Sequence, residues 1–283
     1  MSGEIRYMKD LKELNVFETE PSEKFFWKRE SGKPEIFSSK ELTSQEIAET
    51  VHKNTKKAMI SEFGQYMSKQ QIEYLRSRKT KERLHVVTSA EYVEKFPTHD
   101  FSVAGHCDEK GNIYIKDISS ETVKHISAHE TMHLCANREI AKEEDGICKT
   151  VRGLRETLDF KDGTYLDLSR GINEGATESY TLRKLYEWGE VKAAASIEAY
   201  SEARMWFERM EELIGSEKMA EAYFGSGKNR LVEEFKRLNN DDEDAWEKFS
   251  KDIDILTSGS DTALQEQARE RLIDQYTTML LNQ

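Results

Sequence analysis

The sequence is organised around residues 119–136, which read SSETVKHISAHETMHLCA. This stretch contains the spacing H-E-x-x-H, formed by His129, Glu130 and His133. On an α-helix, positions i and i+4 lie on one face about one turn apart, so both imidazoles can reach a single metal ion. Glu130 projects roughly 100° away from His129, beside the position that a water would take at the metal. The pattern therefore predicts a zinc site with Glu130 as the general base of a hydrolysis.

The sequence around this motif favours a helix. Neither Pro nor Gly interrupts residues 119–140, and Glu121 suits a first helical turn because a carboxylate is favourable near the helix N-terminus. Three residues offer N-cap side chains: Asp117, Ser119 and Ser120. His125 lies one turn before His129 on the same face, where it either lines the cleft or is a hydrogen-bonded structural histidine. We expect one helix to carry the whole motif.

A catalytic zinc usually has three protein ligands, so a third must come from elsewhere. A continuation of the motif as H-x-x-G-x-x-H fails, because Ala136 and Glu139 occupy the Gly and His positions and an unbroken helix would carry Glu139 away from the metal. Glu174 and Glu178 are better placed, since they are spaced i, i+4 at the start of a second helical pattern. One of the two carboxylates is expected to bind zinc, and the other to accept a hydrogen bond from a ligand histidine.

The two motifs together resemble those of the gluzincins, the thermolysin-like metallopeptidases. His129-Glu130-x-x-His133 is followed by Asn173-Glu174-x-x-Thr177-Glu178, which is similar to the N-E-x-x-S-D-type motif on the second helix of that family. The resemblance covers roughly residues 84–188 and implies a zinc-dependent hydrolase that acts on a peptide or protein. It also implies that Glu174 is the third zinc ligand and that Glu178 supports the first histidine. This chain has Thr177 and Glu178 where the family pattern has Ser and Asp.

The resemblance further implies a donor that stabilises the developing oxyanion, since gluzincins often use a Tyr or His outside the two ligand motifs. Tyr200 is our choice, because it follows the Glu174 helix on a segment that could pack across the cleft. A core aromatic is the alternative role for Tyr200. Three other residues compete for the catalytic role: Tyr165, Tyr180 and His106.

The segment before the motif helix is predicted to form strands. Residues 83–88 are compatible with a strand, and residues 101–107 and 112–116 flank a turn that contains Gly111, which predicts a hairpin. In gluzincins the strand that leads to the active-site helix lines the cleft. By that resemblance, residues 112–116 form an edge strand that binds an extended peptide, and the alternative is a plain structural hairpin.

Composition limits the classes of partner. The net charge of −12 argues against nucleic acid as the main partner, and no apolar run approaches the roughly 20 residues that span a bilayer. The N-terminus lacks the apolar core of a secretory signal. Cys107, Cys135 and Cys148 are too few and too widely spaced for a disulfide framework, and Cys135 suits a small core residue. We therefore expect a cytoplasmic protein, or one exported without a signal peptide.

The predicted fold class is α+β: zincin-like, mostly helical, with a small mixed sheet and a helical C-terminal region. Residues 1–82 are expected to form an irregular arm followed by helices, because Thr43-x-x-Glu46 and Ser68-x-x-Gln71 are capping-box patterns. Residues 83–190 would form the catalytic core, and residues 191–283 carry four apolar stripes at helical spacing. The alternative function is a zincin-like binding or scaffold protein that keeps its metal but does not turn over a substrate. The oligomeric state is not indicated by the sequence.

Overall fold

The structure is a computed structural model that describes residues 42–99, 102–108, 110–140, 147–258 and 261–283. Residues 39–283 form one compact unit, so the sequence regions that meet at residues 82 and 190 share one core. Residues 1–41 of the arm and helices predicted for residues 1–82 lie outside the described residues.

Helices provide most of the secondary structure within these ranges. Their bounds are α1 Ser44–Phe63, α2 Lys69–Arg76, α3 Lys79–Glu82, α4 Ser89–Lys95, α5 Ser120–Cys135, α6 Arg170–Glu187, α7 Val191–Ala194, α8 Ser201–Ile214, α9 Ser216–Phe224, α10 Lys228–Leu238, α11 Ala245–Thr257 and α12 Thr262–Leu281. The strands are β1 Leu84–Val87, β2 Gly105–Cys107, β3 Ile113–Lys116, β4 Arg138–Ile140, β5 Ile147–Arg152, β6 Arg155–Phe160 and β7 Tyr165–Leu168. The prediction of an α+β fold, mostly helical with a small mixed sheet and a helical C-terminal region, is confirmed.

Three helix starts follow the caps that the sequence predicts. Thr43 and Glu46 form a complete capping box at α1. At α2, the Ser68 side chain accepts a hydrogen bond from the backbone N–H of Gln71. At α5, Ser119 Oγ accepts from a backbone N–H 3.1 Å away in the first turn. These side-chain oxygens satisfy N–H groups that the helix itself leaves without an acceptor.

The motif helix is shorter than predicted. We expected residues 119–140 to be helical, but α5 ends at Cys135, and residues 138–140 form strand β4. Ala136 is extended, with φ −61° and ψ 152°. The backbone of Asn137 then leaves the helical pattern, because its N–H donates to the carbonyl of Tyr223 and its carbonyl accepts from Gly153. These long-range hydrogen bonds replace helical ones, and no local signal in the sequence announces them.

The first sheet is mixed and has the strand order β1-β3-β2. β1 pairs with β3 in parallel, and β2 pairs with β3 in the antiparallel hairpin that the sequence predicts. The expectation that residues 112–116 form an edge strand is wrong, because β3 lies between β1 and β2 and its backbone groups are used on both sides. The edge strand beside the motif helix is instead β2, where Gly105 faces the side chains of Ile126 and Glu130.

A second sheet, antiparallel with the order β4-β5-β6-β7, lies between α5 and α6 in the sequence, within residues 138–140 and 147–168. The sequence analysis did not find it. Every residue of β5 is partly exposed, and β6 is partly or fully exposed throughout. Neither strand therefore shows the buried–exposed alternation by which a half-buried strand is recognised.

Residues 191–283 form helices, as the apolar stripes predict, and of these α8 and α11 pack on α6 while α10 and α12 pack on α11. Phe207, Phe235 and Phe249, one from each of α8, α10 and α11, are fully buried. Gly175 allows α8 to approach α6 closely, since a Cβ at that position would lie 2.4 Å from the backbone of Ala203. No helix within the described ranges is both long enough and apolar enough to cross a membrane.

Candidate metal centre

Three side chains from two helices converge at the centre of the unit. His129 and His133 come from α5, and Glu174 comes from the first turns of α6. Glu174 Oε2 lies 3.3 Å from His129 Nε2 and 3.0 Å from His133 Nε2. Ligand atoms bound at about 2.0–2.1 Å to a tetrahedral zinc are roughly 3.3 Å apart, so these separations match those of a metal site.

Glu178 fixes the orientation of His129. His129 Nδ1 donates to Glu178 Oε2 across 2.8 Å, so Nε2 is the nitrogen that faces Glu174. The carboxylate of Glu178 also accepts from His125 Nε2, while His125 Nδ1 lies 3.1 Å from the carbonyl of Ala193. His125 is thus buried behind Glu178 and does not line the cleft. The spacing of Glu174 and Glu178 places one carboxylate at each end of the His129 ring.

Thr177 fixes the orientation of His133. The Thr177 hydroxyl donates its single proton to the carbonyl of Asn173, 2.8 Å away. Its lone pairs are then left to accept from Tyr223 Oη at 2.7 Å and from His133 Nδ1 at 3.3 Å. His133 therefore carries a proton on Nδ1, and Nε2 is the nitrogen that faces Glu174. Tyr223 lies 46 residues from Thr177 along the chain, so sequence reasoning did not find this pair.

The ionisable side chains of the site shift one another's pKa values. Burial raises the pKa of Glu174, but His133 and His129 outweigh this effect and hold that pKa well below its usual range. Burial lowers the pKa of His129, but hydrogen bonds to Glu174 and Glu178 hold it well above its ordinary value. Glu178 has a pKa lowered to about 2, because its hydrogen bonds to His125 and His129 outweigh burial. Both glutamates are therefore carboxylates at neutral pH, as metal ligands and their hydrogen-bond partners must be.

The trio of His129, His133 and Glu174 could hold a metal ion, and so could a second trio of His125, His129 and Glu178. The first fits better, because every Nδ1 is already bonded elsewhere and each Nε2 is left for the ion. Its members also retain an accessible edge, with 8–9% of their surface exposed. In the second trio, His125 and Glu178 are only 1% exposed, and both nitrogens of His125 face other acceptors.

Glu130 lies between the histidines and the edge strand. It is 6% exposed, and a Cβ at Gly105 of β2 would lie 3.6 Å from its Cγ. Burial raises the pKa of Glu130, while the nearby His129 and His133 act in the opposite direction. A carboxylate with a raised pKa is a stronger base, so this position suits proton transfer.

Tyr200 is brought to the same site. Its ring stacks on His129, with a centroid separation of 5.9 Å and an interplanar angle of 17°. The negative charge of Glu174, followed by burial, raises its pKa, so the hydroxyl remains a proton donor. Tyr200 has φ 54° and ψ 29°, a left-handed conformation that is unfavourable for a residue with a side chain. The contact that Gly175 permits between α6 and α8 holds this residue near Glu174.

The competing donors are placed differently. Tyr180 is buried among aromatic rings, and its hydroxyl has no hydrogen-bond partner within the described residues. His106 Nδ1 is bonded to Tyr92 Oη at 2.7 Å. Tyr165 is 68% exposed on β7. Glu139, which the sequence analysis rejected as a ligand, lies on β4 and accepts a hydrogen bond from Asn137. It is separated from the site because the chain continues as a strand there, and not as the unbroken helix that we assumed.

Arg152 is a further residue near the site that the sequence analysis missed. Its guanidinium donates to the backbone carbonyls of Cys107, at 3.3 Å, and Asp108, at 3.0 Å. It therefore attaches β5 of the second sheet to the end of edge strand β2. Its positive charge also acts on Glu130.

Comparisons with known proteins found no family model that matches this chain, and no significant match among curated sequences or solved structures. The function of this chain is therefore inferred from the geometry of its site.

Proposed function

We propose that this protein is a zinc-dependent metallopeptidase of the gluzincin type, with a zincin-like catalytic region. The observation that carries the proposal is the convergence of His129, His133 and Glu174 at 3.0–3.3 Å, with both Nδ1 atoms bonded elsewhere. Two imidazoles and one carboxylate form a donor set typical of catalytic zinc. Zinc held there would supply a Lewis acid that polarises a carbonyl and lowers the pKa of a water.

Each remaining residue has a distinct role in this proposal. Glu130 removes a proton from the attacking water and passes it to the leaving amine. Tyr200 donates its hydroxyl proton to the oxyanion that develops on the scissile carbonyl. Glu178 holds His129 and Thr177 holds His133, so that neither imidazole can rotate away from the ion.

The edge strand β2 supports a peptide as the substrate. The N–H of Lys116 donates to the carbonyl of Ala104, and the N–H of Asp108 donates to the carbonyl of Asn112. The Ala104 carbonyl and the Asp108 N–H therefore face β3. In an antiparallel pair the direction of these groups alternates, so the intervening Gly105 and Cys107 direct theirs toward the outer edge, where the Cys107 carbonyl already accepts from Arg152. An extended peptide can pair with that edge, as added strands do.

The first test of the proposal is metal content. The purified parent protein should hold about one zinc per chain, because the chain provides one set of three ligands. Substitution of His129, His133 or Glu174 with Ala should remove most of it, as measured by inductively coupled plasma mass spectrometry. Zinc content in Glu174→Ala equal to that of the parent would remove Glu174 from the ligand set.

The second test separates binding from chemistry. Glu130→Gln preserves size and polarity but cannot act as a base, so it should keep zinc while peptide hydrolysis falls by about 10²–10⁴-fold. Cleavage of a mixed peptide library, followed by mass spectrometry with and without a chelator, gives the readout. A zinc-loaded parent that cleaves no peptide would favour the alternative of a metal-binding or scaffold protein without turnover.

A further inference from the structure

Two arginines form a neighbouring pair at the end of the edge strand. Arg138 on β4 and Arg152 on β5 are directly opposite each other in the antiparallel register. Side chains of directly opposed residues lie on the same face of a sheet. Because Arg152 reaches the carbonyls of Cys107 and Asp108, that face is the one turned toward the end of β2.

This pair is not neutralised by ion pairs within the part of the chain that the structure describes. Arg155 continues the same row across β6, but it forms an ion pair with Asp167. Arg152 donates to backbone carbonyls, and Arg138 is exposed, with no carboxylate of the described residues bonded to it. Directly opposed like charges destabilise a sheet. Arg152 has a structural role in attaching β5 to β2, but no contact within the described residues requires a second arginine at position 138.

Two acids of the described residues lie close to this part of β2, and both already have a role. Asp108 accepts hydrogen bonds from its own turn, from the backbone N–H groups of Lys110 and Asn112 and from the Asn112 side chain. Glu130 is the proposed base. Burial raises the pKa of the Cys107 thiol to about 12, while Arg152 and Arg138 both act to lower it, so both positive charges reach this part of the cleft.

We propose that Arg138 and Arg152 bind a carboxylate of the substrate, which makes the protein selective for peptides with an acidic residue two or three residues from the cleavage site. This inference rests on the proposed function. Arg152 contacts β2 two to three residues from Gly105, the residue opposite Glu130, and Arg138 is its neighbour across the strand pair. At about 3.3 Å per residue, the acidic side chain belongs two or three residues from the scissile bond. A guanidinium fork matches the planar geometry of a carboxylate.

The first experiment measures specificity. A peptide library cleaved by the parent protein should be enriched in Asp or Glu at one position, two or three residues from the cut. Arg138→Gln should reduce that enrichment, measured as the ratio of acidic to neutral peptides cleaved, roughly tenfold, since a partly exposed charge pair is of moderate strength. Arg78→Gln makes the same charge change at an exposed position before α3 and should behave as the parent. Arg138→Lys should restore part of the enrichment, because it returns the charge without the fork.

The second experiment does not depend on turnover. Fluorescein-labelled peptides that carry a single Glu, or Gln at the same position, are titrated into zinc-loaded Glu130→Gln protein and followed by anisotropy. The Glu peptide should bind roughly tenfold more tightly at low salt, and the difference should shrink at high salt. Each peptide is prepared with a free and with an amidated C-terminus. If only the free acid binds tightly, the carboxylate recognised is a chain end and not a side chain.

The outcomes distinguish this inference from the proposed function. Peptide cleavage with no acidic enrichment, or with the same enrichment in Arg138→Gln, would overturn the inference and leave the peptidase standing. If no peptide is cleaved, the function fails, and the anisotropy titration still decides whether the arginine pair binds carboxylates.

Discussion

At the scale of single residues, the site depends on which nitrogen of each histidine carries a proton. Thr177 has only one proton to give, and it gives this proton to the carbonyl of Asn173. Tyr223 and His133 must then both donate to Thr177. A hydroxyl therefore does for His133 what the Glu178 carboxylate does for His129. The two ligand histidines are held by partners of different strength, because a hydrogen bond to a charged acceptor is shorter and stronger.

These hydrogen bonds predict weaker zinc binding when either partner of a ligand histidine is substituted. Glu178→Gln should weaken zinc binding by roughly 10–100-fold, the usual range for such partners. Thr177→Val should also weaken it, because His133 Nδ1 and Tyr223 Oη both lose their acceptor, whereas Thr177→Ser should bind as the parent does. Competition with a fluorescent zinc chelator measures each affinity. Parent-like binding by Thr177→Val would show that this hydroxyl does not orient His133.

Tyr200 is expected to act in chemistry and not in metal binding. Tyr200→Phe should keep zinc and KM but lower kcat by about 10²–10³-fold, the usual cost of one lost oxyanion donor. Tyr180→Phe is a matched control, since its hydroxyl is buried without a partner in the described ranges and should not affect kcat. Steady-state kinetics on one cleaved peptide from the library give both constants. An unchanged kcat in Tyr200→Phe would return Tyr200 to the role of a packing residue.

The sequence identifies residues that are close along a helix better than residues that meet through the fold. His129, Glu130 and His133 are predictable because the helical period alone places them together. Glu174 needed the resemblance to a family motif. Tyr223 and Arg152 have no local signal, because one approaches from α9 and the other from a sheet whose strands lack alternation.

At the scale of elements, α1 supports the motif helix through a buried histidine. His52 Nδ1 lies 2.8 Å from Thr131 Oγ1, inside the H-E-x-x-H sequence. Thr131 donates to the carbonyl of Ser127, so it accepts from His52. The pKa of His52 is lowered to about 3, mainly by burial and also by the charge of Lys56. His52 is therefore neutral in the folded protein, because a second proton would lie on Nε2, which is buried with no hydrogen-bond acceptor among the described residues.

This contact makes stability depend on pH. The unfolded chain protonates His52 near its ordinary pKa of about 6.5, whereas the folded protein does so only near 3. Between these values the unfolded state binds more protons, so His52 lowers the free energy of unfolding as pH falls from 6.5. The added slope is at most about 1.4 kcal/mol per pH unit. His52→Gln should remove it, as measured by urea unfolding of both proteins at pH 7, 6 and 5 with chelator present. Parallel pH profiles would exclude this role.

At the scale of the whole molecule, the metal centre joins parts of the chain that are distant in sequence. α5 and α6 are separated by the whole second sheet, and each supplies part of the ligand set. The N-terminus of α6 is capped from the C-terminal region, because Asp254 accepts from the backbone N–H groups of Ser169, at 3.1 Å, and Gly171, at 2.5 Å. The helix that carries Glu174 is thus held by Asp254 of α11 at its N-terminus and by the contacts of Glu174 with the two histidines of α5. Contacts of this range are set by tertiary packing and leave no periodic trace in the sequence.

Metal binding should therefore stabilise the whole unit. A ligand that binds only the folded state at a thousandfold excess over Kd adds about 4 kcal/mol. In a domain of this size, each kcal/mol raises Tm by about 2–4 °C, so chelation should lower the Tm of the parent by roughly 8–16 °C. Glu130→Gln should show the same shift, because it keeps all three ligands, while Glu174→Ala should melt at the same temperature with and without chelator. Differential scanning fluorimetry with and without added zinc measures these shifts. A chelator response in Glu174→Ala as large as in the parent would mean that the stabilising ion is held somewhere other than between α5 and α6.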